Sequence, residues 1–118
     1  MSPTTAAPLD LLPLTPVAFE ILLSLSADDR HGYAIMRAVD ERTNGRTRLH
    51  AGSLYRALAR LVESGLIEEL ADPPKEGADE RRRYYRLTQL GRKVGVAEAR
   101  RLESQVGAAR SFGLLGQS

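Results

Sequence analysis

The strongest constraint on this chain is a change of hydrophobic period at Gly65. Before it, apolar residues recur at helical spacing in three successive blocks; after it come two short segments that read as strands. In the first block Thr15 is placed as an N-cap with Pro16 at the first helical position, and Leu14 and Phe19 have the spacing of a hydrophobic staple. Val17, Ala18, Ile21, Leu22 and Leu25 form its stripe, and the polar run Ser26 to Arg30 ends it. The second block, His31 to Thr43, buries Tyr33, Ile35, Met36 and Val39 and stops at Asn44-Gly45, a pair suited to left-handed backbone. The third, from about Gly52 to Ser64, buries Leu54, Leu58, Leu61 and Val62. At about 100° per residue, Ser53, Arg56, Ala57 and Arg60 then share the outward side.

Beyond Gly65, strands are expected at Leu66 to Leu70 and Arg82 to Leu87, joined by a polar tip from Asp72 to Glu80. Alternation in the second strand puts Arg83, Tyr85 and Leu87 on one face and Arg82, Tyr84 and Arg86 on the other. Thr88 can cap a last helix reaching about Ala109, with a broad stripe of Leu90, Val94, Ala97, Leu102, Val106 and Ala109. Gly91, Gly95 and Gly107 weaken that helix, so it needs a partner. The first 13 residues hold three prolines and read as an extended arm whose Leu9, Leu11 and Leu12 also want a surface. Three helices followed by a hairpin predict an α+β, mostly helical fold: a winged helix-turn-helix with a C-terminal dimerisation helix. The expected divisions are an arm at 1–13, a winged-helix unit at 14–87, a dimerisation helix at 88–110 and a tail at 111–118.

Several function classes drop out. Without cysteine there is no disulfide, thiolate metal cluster or cysteine nucleophile. His31 and His50 share no ligand-spaced carboxylate, so no metal is expected, and His31 is placed instead to support the start of the second helix. No phosphate-binding, dinucleotide-binding or nucleophile-elbow motif occurs, so neither catalysis nor a cofactor is expected. No apolar run approaches the roughly 20 residues of a membrane span, and no Lys or Arg precedes Arg30 to begin a secretory leader. The expected location is the cytoplasm. The formal charge of +2 is small, but 15 of the 17 cations are Arg, the side chain suited to phosphate and guanine. Biased genomic composition explains that count equally well.

The order of short motifs resembles the PadR family of bacterial regulators. The resemblance runs through Leu14-Thr15-Pro16, His31-Gly32-Tyr33, Gly52-Ser53-Leu54-Tyr55-Arg56-Ala57-Leu58, Gly65-Leu66-Ile67 and Arg83-Tyr84-Tyr85-Arg86-Leu87-Thr88, with Gly91 following. His50-Ala51 stands where the family often has Ser-Pro before the recognition helix. The resemblance implies a homodimeric, repressor-type protein on a palindromic operator in double-stranded DNA. Its dimer interface would be the last helix (Leu90, Val94, Ala97, Leu102, Val106) with help from Leu11 and Leu12 of the arm.

On this reading Arg56 and Arg60, one turn apart, reach base edges, Ser53 reaches phosphate or base, and the small Ser53 and Ala57 let the backbone approach. Tyr33 and Tyr55 are candidate phosphate contacts, against the competing reading of core aromatics. Arg81, Arg82 and Arg83 give the wing a cationic base, against that of a solvated charge run. A protein-interaction module using the third helix without DNA is the alternative function. A small-molecule effector bound at the dimer interface is compatible with the first reading; no aromatic precedes Phe112 in the last helix to stack a flat ligand.

Overall fold

The computed structural model describes residues 11–74 and 82–116. Seven elements follow in order: α1 (Pro16–Ala27), β1 (Arg30–His31), α2 (Gly32–Thr43), α3 (Ala51–Glu63), β2 (Ile67–Glu69), β3 (Tyr84–Leu87) and α4 (Gln89–Ser111). The helix signals act as the sequence suggested. Thr15 Oγ1 accepts from the Ala18 amide at 3.1 Å, His31 Nδ1 from the Ala34 amide at 3.1 Å, and Thr88 Oγ1 from the Gly91 amide at 2.9 Å. Asn44 (φ 53°) and Gly45 (φ 78°) terminate α2 in the left-handed region. No helix among the described residues is long and apolar enough to cross a membrane.

Two features depart from expectation. The sheet has three strands, in the order β1-β3-β2, all antiparallel. Two residues make up β1, too short for any period to register, and they pair Arg30 with Tyr85 and His31 with Tyr84. With a neighbour on each side, β3 buries both Tyr84 and Tyr85, so the alternation expected of a hairpin edge fails there. Tyr85 joins the main core while Tyr84 sits edge-on to the His31 ring at 5.3 Å. The second departure is Val62, which is exposed; α3 buries only Leu54, Leu58 and Leu61.

One core unites these elements: Ile21, Leu22 and Leu25 of α1, Ile35 and Val39 of α2, the three α3 leucines, Leu66, Ile67, Tyr85 and Val94. The first part of α4 therefore has a partner in its own chain, because Val94 is fully enclosed and Leu11, Leu12 and Leu90 pack on the same cluster. Gly91 allows this. A Cβ there would lie 1.9 Å from the Leu66 carbonyl oxygen, so α4 approaches the α3–β2 turn as only glycine can. Thr88 ties the same junction, its hydroxyl donating to Gly65 O at 2.6 Å and its amide to Leu66 O at 3.1 Å.

Further along α4, Glu98 is 2% exposed. Its carboxylate accepts from the Leu14 amide at 3.1 Å and from Arg101 at 2.5 and 3.1 Å, so a buried charge is paired and pins the start of the chain to the last helix. The Arg101 hydrogen bond is the main cause holding the Glu98 carboxyl below the ordinary glutamate value. From Leu102 onward α4 is largely solvent-exposed.

Candidate nucleic-acid interface

The outward side of α3 is built from residues spaced away from its buried leucines. Gly52, Arg56, Ala59, Arg60 and Glu63 are exposed, whereas Ser53 and Ala57 are half-buried. Expectation grouped Ser53 and Ala57 with the two arginines. They lie, half-buried, on the flank turned toward the start of the chain, lining together with Arg56 and Arg60 a groove shared with Leu14, Val17 and Ala18, and the Ser53 hydroxyl donates to His50 O at 3.0 Å. Gly52 and Ala59 are further small residues on the exposed side, which the sequence reading did not select; their signal was one helical turn of spacing about Arg56. Arg56 and Arg60 make no hydrogen bond or ion pair among the described residues. Both guanidinium groups are therefore available to an anion without breaking anything first.

On the opposite flank of α3, Tyr55 is 49% exposed and its hydroxyl lies over Gly32, where a Cβ would come within 2.7 Å of the oxygen. Tyr33, 52% exposed, is a platform rather than a core aromatic. The Arg82 guanidinium carbon sits 5.6 Å from its ring centroid and that of Arg37 6.0 Å, while the His31 ring stacks on it at 6.4 Å. Tyr33 thus joins a cation from α2 to one at the base of β3. Sequence reasoning missed Arg37, although its i,i+4 relation to Tyr33 on one helix was the available signal. Arg83 is largely exposed and 3.7 Å from Glu69 across the hairpin; Arg81 lies outside the described residues. Arg37 and Arg48 are paired with Glu41 and Asp40 at 3.6 and 3.7 Å. Exposed pairs of this kind are worth at most about 1 kcal/mol, so they yield readily to phosphate.

The residues expected at a dimer interface separate into two groups. Leu11, Leu12 and Leu90 are half-buried against their own core, and Val94 is fully enclosed within it. Ala97 and Leu102 are half-buried and Val106 is exposed. A groove between α1 and α4 adds Phe19, Leu23, Gly95 and Val96, which the sequence reading did not select. Phe112 and Leu114, each more than four-fifths exposed, and Leu115 lie at the end of α4 and just beyond it.

Comparison with known proteins places this geometry in context. The family model described as the transcriptional regulator PadR-like family matches residues 21–96. An uncharacterized protein of Lysinibacillus sphaericus is 33% identical over 72 residues, a match spanning 61% of this chain and 64% of that protein's length. Among solved structures, a transcriptional regulator from Clostridium thermocellum has a TM-score of 0.67 at 28% identity, covering 82% of this chain and 89% of that one. RosR of H. salinarum has a TM-score of 0.62 at 27% identity, covering 90% and 100%. A PadR family transcription regulator from Clostridium difficile shares the fold, with a TM-score of 0.67 at 23% identity over 83% and 98%.

Proposed function

Since the chain belongs to the PadR-like family, a family of transcriptional regulators and not of enzymes, we propose that it binds double-stranded DNA as a homodimer and represses transcription from a palindromic operator. The observation that carries this reading is the pair of uncommitted guanidinium groups, Arg56 and Arg60, on the exposed side of α3. Entering a major groove, α3 offers them to guanine edges, with Gly52 and Ala59 allowing close approach. Arg82 and Arg37, gathered on Tyr33, face the backbone as positioning contacts. A cytoplasmic location is part of the same proposal.

The distribution of exposed apolar residues supports the homodimer. Leu23 and Val96 open the groove between α1 and α4, and Phe112, Leu114 and Leu115 stand at the far end of the same helix. From Val96 to Phe112 the helix rises about 24 Å, so the tail cannot fold back into its own groove. A two-fold axis puts the tail of each copy in the groove of the other. The test of the reading is selection of bound fragments from random duplexes, followed by Arg56→Ala and Arg60→Ala on the selected site. Each variant should lose about 1–3 kcal/mol per half-site contact and relax base preference; variants binding as tightly as the parent would remove α3 as the reading element.

A further inference from the structure

We infer that Tyr33 is a positioning residue for DNA: its ring, held by His31, gathers Arg37 and Arg82 for the same run of backbone phosphates, and its hydroxyl makes no phosphate contact of its own. This rests on the DNA reading and assigns a part to the His31-Gly32-Tyr33 segment, which that reading leaves unused. Tyr33 is 52% exposed, yet its ring is engaged. The guanidinium carbon of Arg82 lies 5.6 Å from its centroid and that of Arg37 6.0 Å, one cation from the base of β3 and the other one turn along α2. His31 fixes the ring from both sides of the molecule. Its Nδ1 accepts from the Ala34 amide at 3.1 Å and so carries no proton, its ring stacks on Tyr33 at an interplanar angle of 16°, and it meets Tyr84 edge-on at 5.3 Å. His31 is also paired with Tyr84 between β1 and β3. At Gly32 a Cβ would fall 2.7 Å from the Tyr55 hydroxyl oxygen, so glycine lets α3 close on the start of α2 and brings the Tyr33 platform beside the reading helix.

Physical chemistry favours the ring over the hydroxyl as the working part. Two cations drawn to one ring repel each other, and a phosphate meeting both relieves that repulsion. An arginine free in solvent surrenders its rotamer freedom when it meets DNA, whereas one already resting on an aromatic face surrenders less. A neutral phenol neutralises no phosphate and so releases no counterion. Tyr33 therefore contributes through the two arginines, and its effect vanishes when they are gone.

The test is a mutant cycle on the full chain, read by fluorescence anisotropy at one salt concentration with the selected site and a random duplex. Tyr33→Leu should weaken both DNAs by similar factors, roughly five- to tenfold, and Tyr33→Phe, which restores the ring alone, should rescue most of that loss. In a chain already carrying Arg37→Ala and Arg82→Ala, Tyr33→Leu should change affinity by less than about twofold. His31→Asn, which keeps a side chain able to cap α2 but removes the stacked ring, should cost part of the same factor with a melting midpoint close to the parent's. Without DNA, the Cδ proton resonances of Arg37 and Arg82 should be displaced by the ring current, return to ordinary positions in Tyr33→Leu and stay displaced in Tyr33→Phe. A full Tyr33→Leu loss in the double-arginine background, no rescue by Tyr33→Phe, parent-like DNA affinity in His31→Asn, or undisplaced arginine resonances would each overturn the proposal. A parent that bound no duplex while its arginine resonances were displaced would instead remove the DNA reading, so the two failures are told apart.

Discussion

Replacing Gly91 by Ala tests the junction on which the whole arrangement turns. The new Cβ would lie 1.9 Å from the Leu66 carbonyl oxygen and 2.7 Å from Leu87 Cδ1. A close carbon–oxygen contact is about 3.3 Å, so backbone must move by more than an ångström; the obstacle is a carbonyl, not the end of a flexible side chain. That movement separates Thr88 from Gly65 O and Leu66 O, two hydrogen bonds worth about 1 kcal/mol each. Overpacking against Leu87 adds about 1–3 kcal/mol. Ala recovers about 1 kcal/mol of helix propensity, leaving a net loss of about 2–4 kcal/mol. For a chain of this size the melting midpoint should fall by roughly 10 °C. Gly107→Ala is the internal control: a Cβ there meets nothing within 4 Å, so it should stabilise by about 0.5–1 kcal/mol. Circular-dichroism melts at one fixed protein concentration read both, since self-association shifts midpoints. If Gly91→Ala melted with or above Gly107→Ala, the close approach of α4 to the α3–β2 turn would be refuted.

Arg82→Ala should weaken specific and random duplexes by similar factors and lower the slope of log affinity against log salt by about 1, read by salt titration on both DNAs. An unchanged slope would leave Arg82 a partner of Tyr33 and His31 without a phosphate contact. Glu98, whose carboxyl titrates below the ordinary glutamate value, contributes stability that is present above that value and lost as pH falls through its lowered one. The gap in melting midpoint between parent and Glu98→Gln should therefore be widest near neutrality and close in acid; a gap independent of pH would contradict the ionised pairing with Arg101. Removing Phe112 to Ser118 should shift the chain toward monomer in sedimentation equilibrium at micromolar concentration, and an intact dimer would exclude the tail from the interface.

Local chemistry made the helices legible, because Thr15, Thr88 and Asn44-Gly45 act within three or four residues of themselves. The wing was legible only in outline. Two-residue β1 carries no period of its own, and its pairing with β3 is what buries Tyr84 beside Tyr85, a long-range consequence invisible to alternation. On α3 the angular spacing located Arg56 and Arg60 and grouped Ser53 and Ala57 with them, as the shared groove does, but it could not show that the start of the chain leaves Ser53 and Ala57 half-buried. Arg37 went unselected because its role comes from the ring of Tyr33, which it shares with Arg82 from far along the chain. Val94 shows the converse: it was read correctly as buried, and the partner that buries it is its own chain, whereas Val106 of the same stripe is exposed.

A single residue, Thr88, separates the central strand of the wing from α4 and fastens both to the turn after α3. Strand and helix therefore behave as one lever with its fulcrum at that hydroxyl. The long arm is α4, about 34 Å from end to end; a tilt of about 6° at Thr88 carries its far end through about 3.5 Å, close to the rise of one base pair. In the proposed dimer, where the far ends are shared, the same tilt changes the distance between the two reading heads. Operator spacing is then a mechanical property of the strand-to-helix joint, and a side chain that stiffens or loosens this joint can retune which spacing is tolerated without touching a base.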